Sequence, residues 1–267
     1  MKKLITSLVA VLFVVFLSSC MDAQKDIYGL ADKTHSAVTP VSSYRMKEKW
    51  AIERHEQILK HVAHGNVDLI FVGDSITHAF EKERRGKKVW DQYYVKRNAL
   101  NLGYSSDRTQ NVLWRFDHGE IDGISPKLAV LMIGTNNSED NTAEEIADGI
   151  KAVCVKVMKK MPKTKILILA IFPRGDRQQR QNKKEDAVFN LQWAKNNEAS
   201  KLASKIADDK IIYYLDINQV FLTEDGVLSR KIMGDLLHPN TRGYRIWAEA
   251  IEPTVKNLMG ENDTGNN

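Results

Sequence analysis

The stretch Val67-Asp68-Leu69-Ile70-Phe71-Val72-Gly73-Asp74-Ser75-Ile76-Thr77 decides how this chain is read. Its first part, Val67 to Val72, is nearly continuous in apolar character, which suits a strand buried on both faces of a parallel sheet. Its second part is polar and opens on a glycine. The same pairing recurs down the chain. Short apolar runs at Ala99 to Leu102, Leu128 to Ile133, Ile166 to Ile171 and Ile211 to Leu215 alternate with helical patterns. Ile146, Ile150, Val153, Cys154, Val157 and Met158 recur at helical spacing, and Thr142 with Glu145 forms a capping box ahead of them. Further helical stretches run near Glu48 to His64, Thr109 to Asp117, Lys184 to Ala207 and Arg242 to Met259. This alternation predicts an α/β fold, three layers αβα deep, around a five-stranded and mostly parallel sheet.

In open sheets of this kind, ligands bind beyond the carboxyl ends of the strands. The residues there are Gly73-Asp74-Ser75-Ile76-Thr77, Gly103-Tyr104-Ser105-Ser106-Asp107, Gly134-Thr135-Asn136-Asn137 and Pro173-Arg174-Gly175-Asp176. Beyond the fifth strand, just before the last helix, comes Asp235-Leu236-Leu237-His238-Pro239. A serine hydroxyl attacks poorly unless a base takes its proton, and imidazole is suited because it titrates near neutral pH. His238 is the candidate base for Ser75, and Asp235, three residues earlier on the same loop, is the carboxylate that would orient it. Pro239 biases His238 towards an extended backbone. The backbone N–H groups of Ser75 and Gly103 and the side-chain amide of Asn136 are candidate donors to a developing oxyanion. Asp74, His78 and Arg174 stand behind the reacting groups or on the substrate rim.

Gly73-Asp74-Ser75, Gly103, Gly134-Thr135-Asn136 and Asp235-x-x-His238 resemble, in order and spacing, the four motif blocks of the SGNH (GDSL-like) hydrolases, from about Val67 to Trp247. Within that family, Asn101-Leu102-Gly103, Thr109-Gln110-Asn111-Val112-Leu113-Trp114-Arg115, Phe172-Pro173-Arg174-Gly175 and Asp235-Leu236-Leu237-His238 look most like the catalytic subunits of platelet-activating-factor acetylhydrolase and their bacterial acetylesterase relatives. The resemblance implies a flavodoxin-like SGNH fold and cleavage of short acyl esters, acetyl above all, without metal or other cofactor. It makes Ser75 the nucleophile, His238 the base, Asp235 its orienter, and Ser75, Gly103 and Asn136 the oxyanion hole. Thr77 stands where the ordinary α/β-hydrolase elbow carries glycine, which argues against that other fold.

Several residues have plainer readings. Ser75 alone would pass for a helix cap, Asn136 for a turn residue and Gly103 for a tight-turn glycine. His61 and His64 lie one helical turn apart, but no matched third ligand accompanies them. Cys154 falls in the apolar stripe of a crossover helix, where a buried thiol is the simplest reading. Lys82 to Lys88 reads as a solvated basic loop, whereas the basic run from Arg174 to Lys184 follows a strand end and is weighted as substrate rim.

The amino terminus reads as an address. Lys2 and Lys3 precede an uncharged, mostly apolar run from Leu4 to Leu17, then Ser18, Ser19 and Cys20. The run falls short of the roughly 20 apolar residues a spanning helix needs, so a secretory signal is expected. Leu17-Ser18-Ser19-Cys20 resembles the lipobox of bacterial lipoproteins, implying cleavage before Cys20, lipid on its sulfur, and an exported protein tethered to a membrane. The expected organisation is a signal peptide over 1–19, a lipidated tether and linker over 20–47, a hydrolase domain over 48–259 and a flexible tail over 260–267. With Cys20 so modified, Cys154 has no partner within the chain and a disulfide framework is excluded. The formal charge of +5 includes Lys2 and Lys3 and falls to +3 without them, too small a balance for a dedicated nucleic-acid binder. The expected substrate is an O-acetylated carbohydrate. Two alternatives stay open: a phospholipid or lysophospholipid acyl hydrolase, and a non-catalytic glycan-binding lipoprotein.

Overall fold

The computed structural model describes residues 27–261. The expected signal peptide, Cys20 and tail residues 262–267 lie outside them. The chain divides into two units, Met1–Thr34 and His35–Asn267. In the first, residues 27–34 include a turn closed by the Lys33 N–H on the Leu30 carbonyl at 3.3 Å. The rest of the description concerns the second.

Five strands, β1 (Leu69–Gly73), β2 (Ala99–Gly103), β3 (Leu128–Met132), β4 (Lys165–Leu169) and β5 (Ile212–Leu215), form one sheet in the order β2-β1-β3-β4-β5. Every pairing is parallel, and Gly73 of β1 stands in register with Gly103 of β2 and Met132 of β3. The chain therefore reverses its direction of travel across the sheet at β1, whose carboxyl end lies between those of β2 and β3. That is where a doubly wound sheet opens a crevice. The three central strands β1, β3 and β4 are buried almost throughout, as their apolar runs require, whereas β5 at the edge is only partly covered.

The helices are α1 (Lys49–His64), α2 (Ser75–His78), α3 (Lys87–Tyr93), α4 (Thr109–Asp117), α5 (Ala143–Lys160), α6 (Arg177–Gln181), α7 (Leu191–Ser204) and α8 (Thr241–Met259). On one sheet face, Phe71 meets Tyr94 at 4.6 Å, Trp90 at 5.3 Å and Phe80 at 5.8 Å between ring centroids. Trp247 of α8 closes the cluster against Phe80 at 4.4 Å and Phe172 at 4.9 Å. The aromatic slab bolts α3 and α8 to the sheet beneath the loops that carry Ser75 and His238. Alternate strand residues such as Ile70, Ala129 and Ile168 point to the other face, where α5 buries Ile146, Ile150, Val153 and Val157. Its capping box forms, with Thr142 Oγ1 accepting from the Glu145 N–H at 3.2 Å.

The structure departs from the sequence reading in three places. Residues 36–47, expected within a linker, lie against the domain. Ala37 is fully buried, its carbonyl accepts from Thr109 Oγ1 at 2.7 Å, and the Val41 carbonyl accepts from Asn111 Nδ2 at 3.0 Å. Second, no helix starts at Lys184. Ala187 and Leu228 exchange backbone hydrogen bonds at 3.0 and 2.9 Å, which takes that segment out of helical geometry, and α7 begins only after Asn190 caps the Trp193 N–H. Third, the basic loop over Lys82 to Lys88 is not uniformly solvated. Arg85 turns inward to donate to the carbonyls of His238 and Pro239, each at 3.2 Å, and Thr241 Oγ1 donates to the Arg85 carbonyl at 2.8 Å.

Because Trp247 fills the slab completely, Trp247→Ala should cost about 3–5 kcal/mol of unfolding free energy. Urea denaturation followed by circular dichroism checks this, and a loss below about 1 kcal/mol would show that the slab can collapse around the gap.

Candidate active site

Gly73 closes β1 where no other residue fits, since a Cβ there would lie 2.1 Å from Thr77 Oγ1 and 2.5 Å from the Met132 carbonyl oxygen. Asp74 follows as the cap of α2, its Oδ1 accepting from the Ile76 N–H at 2.8 Å. Strand end and cap together present Ser75 as the first helical residue, half-buried at the carboxyl edge of the sheet.

His238 arrives from 163 residues away. Its Nε2 stands 2.8 Å from Ser75 Oγ. Its Nδ1 is 2.6 Å from Asp235 Oδ2, while Asp235 Oδ1 accepts from the backbone N–H groups of His238 at 2.8 Å and Leu237 at 3.2 Å. One carboxylate thus shapes the loop and orients the ring, and it sets the tautomer with the proton on Nδ1 and the lone pair facing Ser75. Burial alone would raise the pKa of Asp235. The hydrogen bond and charge of His238, its backbone N–H and the Arg85 cation outweigh burial and hold the carboxyl well below the usual range. Leu236 between them adopts φ +56°, uncommon for a residue with a side chain. Its carbonyl accepts from the Gly175 N–H at 2.8 Å and its side chain is fully buried, so packing holds the turn in place. Tyr244 of α8 donates to the Ile76 carbonyl at 2.6 Å and ties the histidine arm to the serine arm.

The residues predicted around the oxyanion are placed differently. The Gly103 N–H is already donated to Asn101 Oδ1 at 2.8 Å, so the expectation of a free donor there is corrected. Gly103 is required for another reason: a Cβ would lie 2.3 Å from the His78 nitrogen, and its absence lets α2 press onto β2. Asn136 Nδ2 donates to the Asp107 carbonyl at 2.9 Å, which ties the loop after β3 to the loop after β2. Ser106, on the latter loop, sits at φ +71°, and its N–H has no acceptor among the described residues.

Arg174 does not rim the substrate. It is buried, and its Nη1 donates to the Thr135 carbonyl at 3.0 Å and Thr135 Oγ1 at 3.1 Å, bracing the Gly134-Thr135-Asn136 turn from beneath. His78 is half-buried, with Nδ1 3.1 Å from Ser105 Oγ and its ring stacked on Trp50 at 5.5 Å. Burial first, then the cations of Arg54, Lys82 and Arg115, push its pKa down to about 3, so the imidazole is neutral. The Cys154 thiol is buried and its ionisation suppressed by that burial.

A buried ionic network that sequence reasoning missed holds the β2–α4 loop. Arg115 donates from Nε to Asp107 Oδ2 at 2.9 Å, from Nη2 to the Leu102 carbonyl at 3.0 Å, and from Nη1 to Glu120. Glu120 also accepts from Tyr104 at 2.7 Å and pairs with His55 at 2.7 Å. Its only sequence signal is an arginine inside the apolar face of α4, eight residues after an aspartate.

Asp74 is fully enclosed, and among the described residues its Oδ2 has no partner. Burial raises its pKa to about 7; the Ile76 N–H opposes, Asp107 adds to the rise and Arg174 opposes again. The folded state therefore binds this proton more tightly than the unfolded chain. The stabilisation is complete below the unfolded value of 3.8 and fades as pH rises through about 7, by up to about 4 kcal/mol. Asp107, raised to about 6 by its burial, acts in the same direction, whereas Asp235 has the opposite sign and acts below 3.8. Unfolding free energies measured from pH 4 to pH 8 should decline, and Asp74→Asn should remove a large part of the decline. An Asp74→Asn profile parallel to that of the parent would disprove the assignment.

Comparison with known proteins accords with this geometry. Rat platelet-activating factor acetylhydrolase IB subunit alpha2 is 32% identical over 215 residues, covering 80% of this chain and 86% of the relative. Among solved structures, a GDSL-like lipase from Bacteroides thetaiotaomicron superimposes with a TM-score of 0.60 at 17% identity, over 77% of this chain and 97% of the other. Est24, a carbohydrate acetylesterase from Sinorhizobium meliloti, does so with a TM-score of 0.50 at 18% identity, over 72% and 99%. These two likenesses speak to the fold alone. Residues 71–246 match the GDSL-like lipase/acylhydrolase family, and the chain belongs to that family of carboxylic ester hydrolases.

Proposed function

We propose that this protein removes acetyl groups from an O-acetylated carbohydrate through an acyl-enzyme on Ser75. The observation that carries the reading is the unbroken chain of contacts from Ser75 Oγ through His238 to Asp235, at 2.8 and 2.6 Å. His238 Nε2 takes the hydroxyl proton as Oγ attacks the ester carbonyl, and the imidazolium is stabilised by Asp235. The negative charge on the carbonyl oxygen is met by the Ser75 N–H and the Asn136 amide. Collapse expels the sugar alkoxide, which recovers the proton from His238. Water, deprotonated by the same nitrogen, then attacks the acetyl-serine and releases acetate and the serine hydroxyl.

The acetyl preference is supported by relatives named acetylhydrolase. Export, with lipid on Cys20, is supported by the leader of Lys2, Lys3 and the run Leu4 to Leu17, and would bring the enzyme to extracytoplasmic glycans. Intact serine, histidine and aspartate weigh against a glycan-binding protein without activity.

Ser75→Ala should keep the fold and lower acetate release by about 10³-fold or more, and Asn136→Ala should lower turnover by about 10²-fold. Full activity in the first variant would refute the acyl-enzyme, and an unchanged rate in the second would remove Asn136 from the oxyanion site. Cys20→Ser should shift the protein from the membrane to the soluble fraction after cell lysis; continued membrane retention would refute the lipid anchor.

A further inference from the structure

On the α1 side of the molecule lies a recess of about 370 Å³ lined by Trp50, Glu53, Arg54, Gln57, His78 and Lys82. Its wall includes His78, which sits one helical turn after Ser75 on α2 and contacts Ser105 on the loop after β2. Trp50 is held rigid: its indole N–H donates to Glu48 and its ring stacks on His78 with 24° between the planes. The Arg54 guanidinium is already spent on the carbonyls of Gly103 at 3.0 Å and Asn101 at 2.8 Å and on Glu81 at 2.8 Å, so it walls the recess. Glu53 faces Lys49 at 3.6 Å. Lys82 is different. It is exposed at the mouth, and among the described residues no ion pair engages it.

A rigid indole face beside an amide, a carboxylate and an unpaired ammonium is a set suited to a ring with an apolar face, equatorial polar groups and a negative charge. We propose that this recess is the subsite for the alcohol portion of the ester, and that it takes an acidic sugar, its ring on Trp50 and its carboxylate on Lys82. The inference rests on the esterase reading and specifies the acceptor. A bare phosphate would have Lys82 alone, because the Arg54 guanidinium is engaged by Gly103, Asn101 and Glu81, and it would leave the Trp50 face uncovered.

The test compares four acetyl esters with the full-length protein: an O-acetylated methyl glucuronoside, the matching O-acetylated methyl glucoside, an acetylated phospholipid in mixed micelles, and p-nitrophenyl acetate, which lacks a sugar. The parent should favour the glucuronoside over the glucoside. Lys82→Gln should lower that preference about tenfold in kcat/KM, chiefly through KM. Trp50→Ala should lower kcat/KM on both glycosides about tenfold relative to p-nitrophenyl acetate measured on the same variant. Lys82 is exposed, so its variant remains informative should Trp50→Ala fail to fold. An unaltered preference in Lys82→Gln overturns the proposal. So does a parent enzyme that cleaves p-nitrophenyl acetate and an acetylated phospholipid in mixed micelles but neither glycoside, an outcome that leaves the esterase intact. Absence of Ser75-dependent cleavage of any of these esters would instead refute the esterase reading.

Discussion

The Asp235 carboxylate accepts two backbone N–H groups on one oxygen and the His238 ring on the other, and the geometry of the site hangs on that double duty. A side chain that only oriented the ring would leave the loop free to drift. One that only capped the loop would leave the imidazole free to rotate. By joining both tasks, Asp235 delivers the ring at a definite distance from a serine on a distant strand. A carboxyl pKa held far below the ordinary range is the thermodynamic mark of the same contacts. Leu236 carries the cost, a left-handed backbone stabilised by its buried side chain and by Gly175.

In the neighbouring loops, charge is buried: Asp107, Arg115, Glu120 and Arg174 are all enclosed. Such groups add little net stability, because the desolvation of each ion offsets the attraction between them. What they add is position. Arg115 fastens the loop after β2, Arg174 fastens the loop after β3, and Asn136 joins the two. Donors to a developing oxyanion help only if they need not reorganise during the reaction, and a dry, cross-braced set of loops meets that condition.

The same economy of placement extends to the α1 side. Gly103 lets α2 lie against β2, and that contact carries His78 towards Trp50. The wall of the recess and the catalytic serine are therefore set by one close approach of backbones. A change at Gly103 would move both.

Much of this was legible in the residues themselves. Five apolar runs marked five strands, and the 3.6-residue stripe with its Thr142–Glu145 box marked α5, because near neighbours along the chain encode period and caps. Ser75, His238 and Asp235 were legible as types at strand ends, the serine on a polar sequel to an apolar run and the other two on one loop. The sequence left undecided whatever depends on partners from elsewhere in the chain. Only the assembled sheet brings Asn101 to the Gly103 N–H, Arg85 to the His238 carbonyl, Arg174 beneath Thr135 and residues 36–47 against α4. Local pattern determines which segments become strand or helix and which side chains stand at their ends. The order β2-β1-β3-β4-β5 decides which of those ends are neighbours, and hydrogen-bond donors are apportioned only once neighbours are set.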